Sequence, residues 1–488
     1  MPAVMATTVD YQRTTVELLQ RIAREELPGL IEAAEDAGRF IPRHVERTVE
    51  RFLGCGDPRE GFAWLVCDGC DHHRLVPFSC KTRGICSCCG GRRMATRAAW
   101  IVDRVIPEVP VRQWVLTLPW ARRLVLARRQ DLLLGVWREA LDVIFTWYRY
   151  QAAERLGLPP ERARDFCCGA VTQVQRFSSA LTLNPHFHSL IPDGAWYKDE
   201  QGRLHFVDVL PPTTGDIEDL VVEIAARCER WLAEQGFGEH DQHDDPDPDD
   251  AQMLLQAASA AGRTALGQRA GRRAKRIQVH RGRVYELPPR CAVCDGYNLH
   301  AGVRAARRDR AGLERLSRYI SRPPLGRERL EEQPDGSILL RLKTPWSDGT
   351  AALQLSRSEL LQRIIALIPP PRKNESLYHG VFAPNHAWRR EIVPAPPVDT
   401  TPEHLRIRLT KEPALGPQPA WLAWAALMWR IFQEDKVSCP RCGAPMRLRT
   451  VVMPPATMRV VKGIEQAAAR APPGEQSESL RDPLAVGA

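Results

Sequence analysis

Two histidines flanking one large apolar residue, His186-Phe187-His188 in NPHFHSLIPDG, have the spacing best suited to chemistry in this 488-residue chain. On a β-strand, residues i and i+2 point to the same face. The two imidazoles would then project side by side, while Phe187 turns into a core. Paired imidazoles suit a metal ion. Alone they favour zinc, iron or copper; with an amide or carboxylate oxygen and open positions they favour Mg2+ or Mn2+. The preceding segment, VTQVQRF, reads as a strand joined to the histidine strand by a turn near residue 181, which brings Gln175 close as a third ligand. Gln173 lies on the same face as Gln175, and His300 in YNLHAGVR is a rival ligand from another strand.

Tyr319 is the second unusual residue, in RRDRAGLERLSRYISRPPL. Leu313, Leu316 and Ile320 repeat at helical spacing, and Pro323-Pro324 ends the helix. A tyrosine three residues after Leu316 can be plain core. Here, however, Arg307, Arg308, Arg310, Arg315, Arg318 and Arg322 surround it. Guanidinium forks suit phosphate, and a phenol held near phosphate can act as a nucleophile. Tyr148 and Tyr150, in TWYRYQ, lack such a phosphate-binding cluster and read as structural residues of an amphipathic helix.

Thiols form a third set. Cys67-x-x-Cys70 and Cys86-x-x-Cys89 stand 15 residues apart, the spacing of a zinc ribbon, in which each turn aims two thiolates at one tetrahedral ion. His72, His73, Cys80 and Cys88 are substitutes for one ligand. Filled by four protein ligands, such an ion folds its module and does no chemistry. Cys291-x-x-Cys294 and Cys439-x-x-Cys442 are isolated pairs that could form a second site across a long separation.

These residues need elements to hold them. The length calls for several domains. Helical periodicity runs through TTVELLQRIAREELPGLIEAAEDAG and DIEDLVVEIAARCERWLAEQG, and VPVRQWVLTLP, CCGAVTQVQRF and HFHSLIPDGAWY read as strands. EHDQHDDPDPDD, residues 239–250, reads as a disordered acidic insertion. The net charge of +9 and the excess of Arg over Lys suit an anionic partner, nucleic acid before membrane. No apolar run is long enough for a transmembrane helix, and the N-terminal segment lacks the pattern of a signal peptide. A cytoplasmic protein with reduced cysteines is the expectation.

Taken in order, the ribbon, RFSSALTLNPHFHSLIPDG, LERLSRYISRPPL, YHGVFAPNHAWRREIVP and WLAWAALMWRIFQEDKVSCPRCGAPMRL resemble the rolling-circle insertion-sequence transposases, over about residues 40–455. These belong to the class of His-hydrophobe-His (HUH) single-strand nucleases. The resemblance implies an α+β fold: an antiparallel-sheet HUH endonuclease core with packed helices, after an N-terminal helical and zinc-ribbon module. It implies segments 1–105 (helical and zinc-ribbon, DNA-binding), 106–345 (catalytic, with the acidic insertion), 346–455 (accessory, with Cys439 and Cys442) and 456–488 (a disordered tail). His186, His188 and Gln175 would hold Mg2+ or Mn2+ against a scissile phosphate. Tyr319 would attack it, leaving a 5′-phosphotyrosine and a free 3′-OH, with Arg315, Arg318 and Arg322 on flanking phosphates. The partners would be single-stranded DNA of the element ends and target, in the bacterial cytoplasm and nucleoid. Some members carry a second catalytic tyrosine one turn away; here Arg315 and Pro323 occupy the positions four before and four after Tyr319. A single-tyrosine enzyme must reuse that residue or work as a homodimer. The alternatives are a non-catalytic, zinc-dependent DNA-binding protein from a decayed element, and a double-stranded β-helix oxygenase. The intact histidine pair and tyrosine oppose the first; the helical content and the ribbon oppose the second.

Overall fold

The computed structural model describes residues 13–70, 72–238, 250–279, 286–326, 329–395, 408–409 and 438–470. The first half of the chain forms α1 (Arg13–Asp36), α2 (Arg43–Leu53), β1 (Phe62–Cys67), β2 (His73–Pro77), α3 (Ser87–Arg104), β3 (Val111–Thr117), α4 (Arg123–Arg128) and α5 (Gln130–Arg155). It continues through β4 (Gly169–Phe177), β5 (Leu183–Pro192), β6 (Gly194–Lys198), β7 (Leu204–Asp208) and α6 (Thr214–Glu234). The second half forms α7 (Ala251–Ala260), β8 (Lys275–Gln278), β9 (Cys291–Cys294), β10 (Tyr297–Ala305), α8 (Arg310–Ile320), β11 (Leu330–Glu332), β12 (Ile338–Arg341) and β13 (Thr350–Leu355). Then come α9 (Arg357–Leu367), β14 (Ser376–Gly380), α10 (Arg389–Ile392), β15 (Arg408–Leu409), β16 (Met446–Val452) and a last helix, Thr457–Arg470. The fold is α+β with largely antiparallel sheets.

Two compact units share the described residues. One takes 13–20, 49–82 and the residues from 408 onward; the other takes 21–48 and 83–395. The larger unit is built on a six-stranded antiparallel sheet of order β14-β4-β5-β3-β10-β9. Period-two alternation gives this sheet two different faces. One face is apolar: Trp114, Leu116, Val174 and Phe187 pack in a single core with residues of α5 and α6. Phe187 stacks on Trp137 of α5 with ring centroids 4.7 Å apart. Leu133, Val136, Trp137, Ala140 and Ile144 give α5 its buried stripe. α6 starts in a capping box between Thr213 and Asp216. The other face is apolar at one end, where Val171 and Leu190 join Ile101 and Val102 of α3 and Leu313 and Ile320 of α8. At its other end it is polar, and both histidines lie there. The turn between β4 and β5 falls where the sequence expectation puts it, with buried Leu181 at φ 57°. That left-handed conformation is unusual for a branched residue and is held by the packing around it.

The smaller unit has a four-stranded sheet of order β15-β16-β1-β2, in which β1 runs antiparallel to both β2 and β16. Its core is small: Phe62, Trp64, Val66, Leu75 and Val452, closed by Val460 and Val461 of the last helix. The unit thus draws on both ends of the chain, whereas the expected segments run consecutively. The part of the expected tail from 457 to 470 is helical, its TMRVVKGIEQAAAR composition outweighing the polar, proline-rich sequence after it. Residues 239–249 and 471–488, expected to be disordered, lie outside the described residues. Asp250, the last residue of the expected insertion, is ordered: it caps α7, its carboxylate accepting from the Met253 amide.

Candidate metal and nucleophile site

β5 presents His186 and His188 from the centre of the large sheet, between β4 and β3. Their Nε2 atoms face each other at 3.1 Å, and each Nδ1 is engaged. His186 Nδ1 lies 2.8 Å from the Asn184 carbonyl, which can only accept, so His186 carries its proton on Nδ1 and offers a lone pair at Nε2. The Gln113 amide nitrogen lies 2.9 Å from His188 Nδ1 and can only donate, so His188 carries its proton on Nε2 and donates it in a hydrogen bond to His186 Nε2. Binding an ion between the two Nε2 atoms requires His188 to move that proton to Nδ1 and the Gln113 amide to rotate and accept it. Burial holds His186 down to about 4, with Arg322 and Arg123 adding to the effect. Burial, then His186, Arg322 and Lys343, hold His188 well below the usual imidazole range. Both rings are therefore neutral at pH 7, the form that ligates.

Gln175 pairs with His186 across β4 and β5. Its amide nitrogen donates to the Ile320 carbonyl at 2.7 Å, so the C-terminal turn of α8 holds the side chain by one end. Its Oε1 is buried without a hydrogen-bond partner. An orphaned buried acceptor is costly unless something binds it, and a cation beside the two Nε2 atoms would meet that need. Two imidazoles at adjacent positions of an octahedral ion stand about 3.0 Å apart for metal–ligand bonds near 2.1 Å, close to the spacing seen. Gln173 is different: its carbonyl oxygen already accepts from Arg97 at 2.8 Å and Ser376 at 2.7 Å. His300 is half-buried on β10, opposite Val115 of β3, and so lies two strands from His188, on the order of 10 Å away.

α8 packs over this face and brings the Tyr319 ring 5.6 Å from that of His188, centroid to centroid, nearly perpendicular to it. Two cations flank the phenol: Arg322 with Cζ 4.6 Å from the ring centre and Lys343 with Nζ at 4.2 Å. Of the other arginines expected to hold phosphate, Arg315 is exposed and sits 3.9 Å from Asp309, and Arg318 is half-buried on α8. Arg176 was not singled out in the sequence. It is buried, with Nε and Nη2 lacking hydrogen-bond partners, and lines a cavity with Gln175, Arg93, Arg97 and Arg322. Lys343 and Gln113 also escaped notice. They sit in LRLKTPW and VPVRQWVLTLP, and only the fold brings them to the histidines. Tyr148 lies on the apolar side of the sheet, donates to Asp193 at 2.8 Å and is pushed well above the usual phenol range by burial and Asp193. Tyr150 is half-exposed on α5.

Two family comparisons bear on the chain. The transposase family Y2_Tnp matches residues 169–390, the span that holds Gln175, His186, His188 and Tyr319. The transposase zinc-binding domain Zn_Tnp_IS91 matches residues 27–118. Together they support a rolling-circle transposase of the IS91 type. Neither curated proteins nor solved structures give a match.

The cysteines of the transposase fit zinc, but in a different grouping from the one expected. All fourteen are thiols. In the smaller unit, Cys67 and Cys70 gather with Cys439 and Cys442, all four sulfurs within 4.8 Å of one another. The expected set of Cys67, Cys70, Cys86 and Cys89 is therefore divided. Cys86 instead caps α3 in the larger unit, its sulfur accepting from the Cys89 amide at 3.4 Å. The reason is β16, which adds to β1 and carries its own thiol pair to the Cys67 turn. Cys291 and Cys294 lie on β9; among the described residues they join no group of three or more ligands. No described helix is long and apolar enough to cross a membrane.

Proposed function

We propose that the transposase nicks and rejoins single-stranded DNA through Tyr319. The reading rests on one juxtaposition: a phenol ring 5.6 Å from His188, beside two facing imidazole nitrogens and the unpartnered Oε1 of Gln175. The Tyr319 oxygen attacks the scissile phosphorus and gives up its proton. The phenol proton goes to solvent; the bond from phosphorus to the 3′-oxygen breaks, and that oxygen takes a proton from solvent and leaves as a 3′-OH. The 5′-phosphate remains on the tyrosine, so the bond energy is kept for strand transfer. His186, His188 and Gln175 would hold Mg2+ or Mn2+, which supplies charge neutralisation at the phosphate. Lys343 and Arg322, stacked on the phenol, offset negative charge as the proton leaves. Arg176 and Arg97 in the neighbouring cavity, with Arg315 and Arg318 on α8, take flanking phosphates, so binding weakens steeply with salt. With Tyr319 as the one tyrosine at this site among the described residues, the second strand exchange takes either reuse of Tyr319 or a second copy of the chain.

The test uses purified protein and a labelled single-stranded oligonucleotide carrying an element end, with Mn2+ or Mg2+. A denaturation-resistant protein–DNA adduct is expected in wild type and absent in Tyr319→Phe or with EDTA. An adduct that persists in Tyr319→Phe moves the nucleophile elsewhere. Binding with no adduct on any end sequence favours the non-catalytic DNA-binding reading.

A further inference from the structure

We propose that Cys67, Cys70, Cys439 and Cys442 hold one structural Zn2+, and that the transposase zinc ribbon is split between distant parts of the chain. The sulfurs of Cys67 and Cys442 are 3.4 Å apart and those of Cys70 and Cys439 are 3.5 Å apart. Four thiolates around a tetrahedral zinc, with bonds of about 2.3 Å, stand about 3.8 Å from one another. The observed cluster needs only a slight expansion to reach that arrangement. A disulfide would need sulfurs near 2.05 Å.

The two turns match each other. The Gly69 amide donates to Cys67 Sγ at 3.3 Å, and the Arg441 amide donates to Cys439 Sγ at 3.4 Å. In each Cys-x-x-Cys, the backbone amide two residues on supports the first sulfur, as a ligating thiolate requires. The turns also approach each other closely. A Cβ at Gly69 would lie 3.1 Å from Ala444 Cβ and 3.4 Å from Cys442 Sγ. Gly443, at φ 74°, turns the chain back toward β16. Strand pairing fixes the register, with Cys67 opposite Met446 and Val66 opposite Arg447.

The paired thiols are separated by 369 and 375 residues. Residues 83–395 therefore lie, in chain order, between the two halves of one metal site. The family match for zinc binding, residues 27–118, contains only the first half. All four positions are thiols, so the ion is structural.

The experiment is differential alkylation of full-length, reduced, zinc-loaded protein, read residue by residue by mass spectrometry. Cys67, Cys70, Cys439 and Cys442 are expected to be shielded together and to become reactive together on chelation. The double variant Cys439→Ser/Cys442→Ser is expected to lose one equivalent of zinc and to expose Cys67 and Cys70 in zinc-replete buffer. Cys86→Ser/Cys89→Ser should leave that shielding intact. Reactive Cys439 and Cys442 in zinc-loaded wild type overturn the proposal, as does continued shielding of Cys67 and Cys70 in the C-terminal variant. The readout is thiol reactivity, so it stands apart from whether the protein nicks DNA.

Discussion

Two regions that could hold a metal are built in opposite ways. The thiol cluster gathers four ligands from two turns far apart in the chain, around a core no larger than Leu65, Cys67, Cys439 and Met446. The histidine site would take two ligands from one strand and a third group from its neighbour, on a sheet whose other face carries the main core of the larger unit. Where apolar burial is scarce, an ion can supply the folding free energy. Where burial is ample, the sheet does not need an ion to fold, and an ion held there could keep coordination positions for a substrate.

That contrast can be broken by experiment. The largest effect expected is from a zinc-selective chelator. Structural zinc sites in small modules are worth about 10–16 kcal/mol, so 62–77 and 438–452 should become protease-sensitive together. Omitting Mg2+ and Mn2+ should leave the protease pattern unchanged while stopping nicking. If zinc removal leaves 438–452 protected, the contrast fails.

Next comes His188→Ala, with a loss of nicking on the order of a thousandfold, since a metal at a phosphoryl group contributes several kcal/mol. Retained nicking in that variant would leave the histidines a structural role only. Gln113→Leu, which removes only the group orienting His188, should weaken Mn2+ binding by about 10–100-fold, measured by titration calorimetry.

Acid gives a third, smaller contrast. His186 is held at about 4 in the folded protein, against about 6.5 unfolded. Between those values the unfolded chain binds the proton and the folded one does not. Stability of the larger unit should therefore fall as pH drops from 6.5 toward 4, by about 1.4 kcal/mol per pH unit for this group. Thermal melts at pH 7 and pH 5 check this, and His186→Asn should reduce the difference, with His188 retaining its share. The smallest effect is expected from Lys343→Ala, a roughly two- to fivefold slowing of adduct formation, as fits one exposed cation against a ring. Lys343→Arg should restore the rate.

Much of the histidine site was legible because its pieces are local. His-Phe-His on a strand dictates one shared face. A turn near Leu181 puts Gln175 opposite His186. Tyr319 stood out by its arginine neighbours, although it is Arg322 and the unsuspected Lys343 that flank its ring. Lys343 and Gln113 were illegible because nothing in their immediate sequence marks them. The choice of Gln175 over Gln173 as a free acceptor depended on which side chains occupy each carbonyl: Arg97 and Ser376 take that of Gln173.

The cysteines mark the limit of local pattern. By itself the sequence determined that Cys67-x-x-Cys70 and Cys439-x-x-Cys442 could each pinch an ion, because a two-residue spacing folds both sulfurs to one side of a turn. It equally determined that His186 and His188 share a face, because strand alternation is a property of the backbone. Tertiary structure alone decided which thiol pairs meet and which side chains surround Tyr319. Those outcomes depend on strand pairing and helix packing between separate segments of the chain, and spacing within a motif carries no information about them.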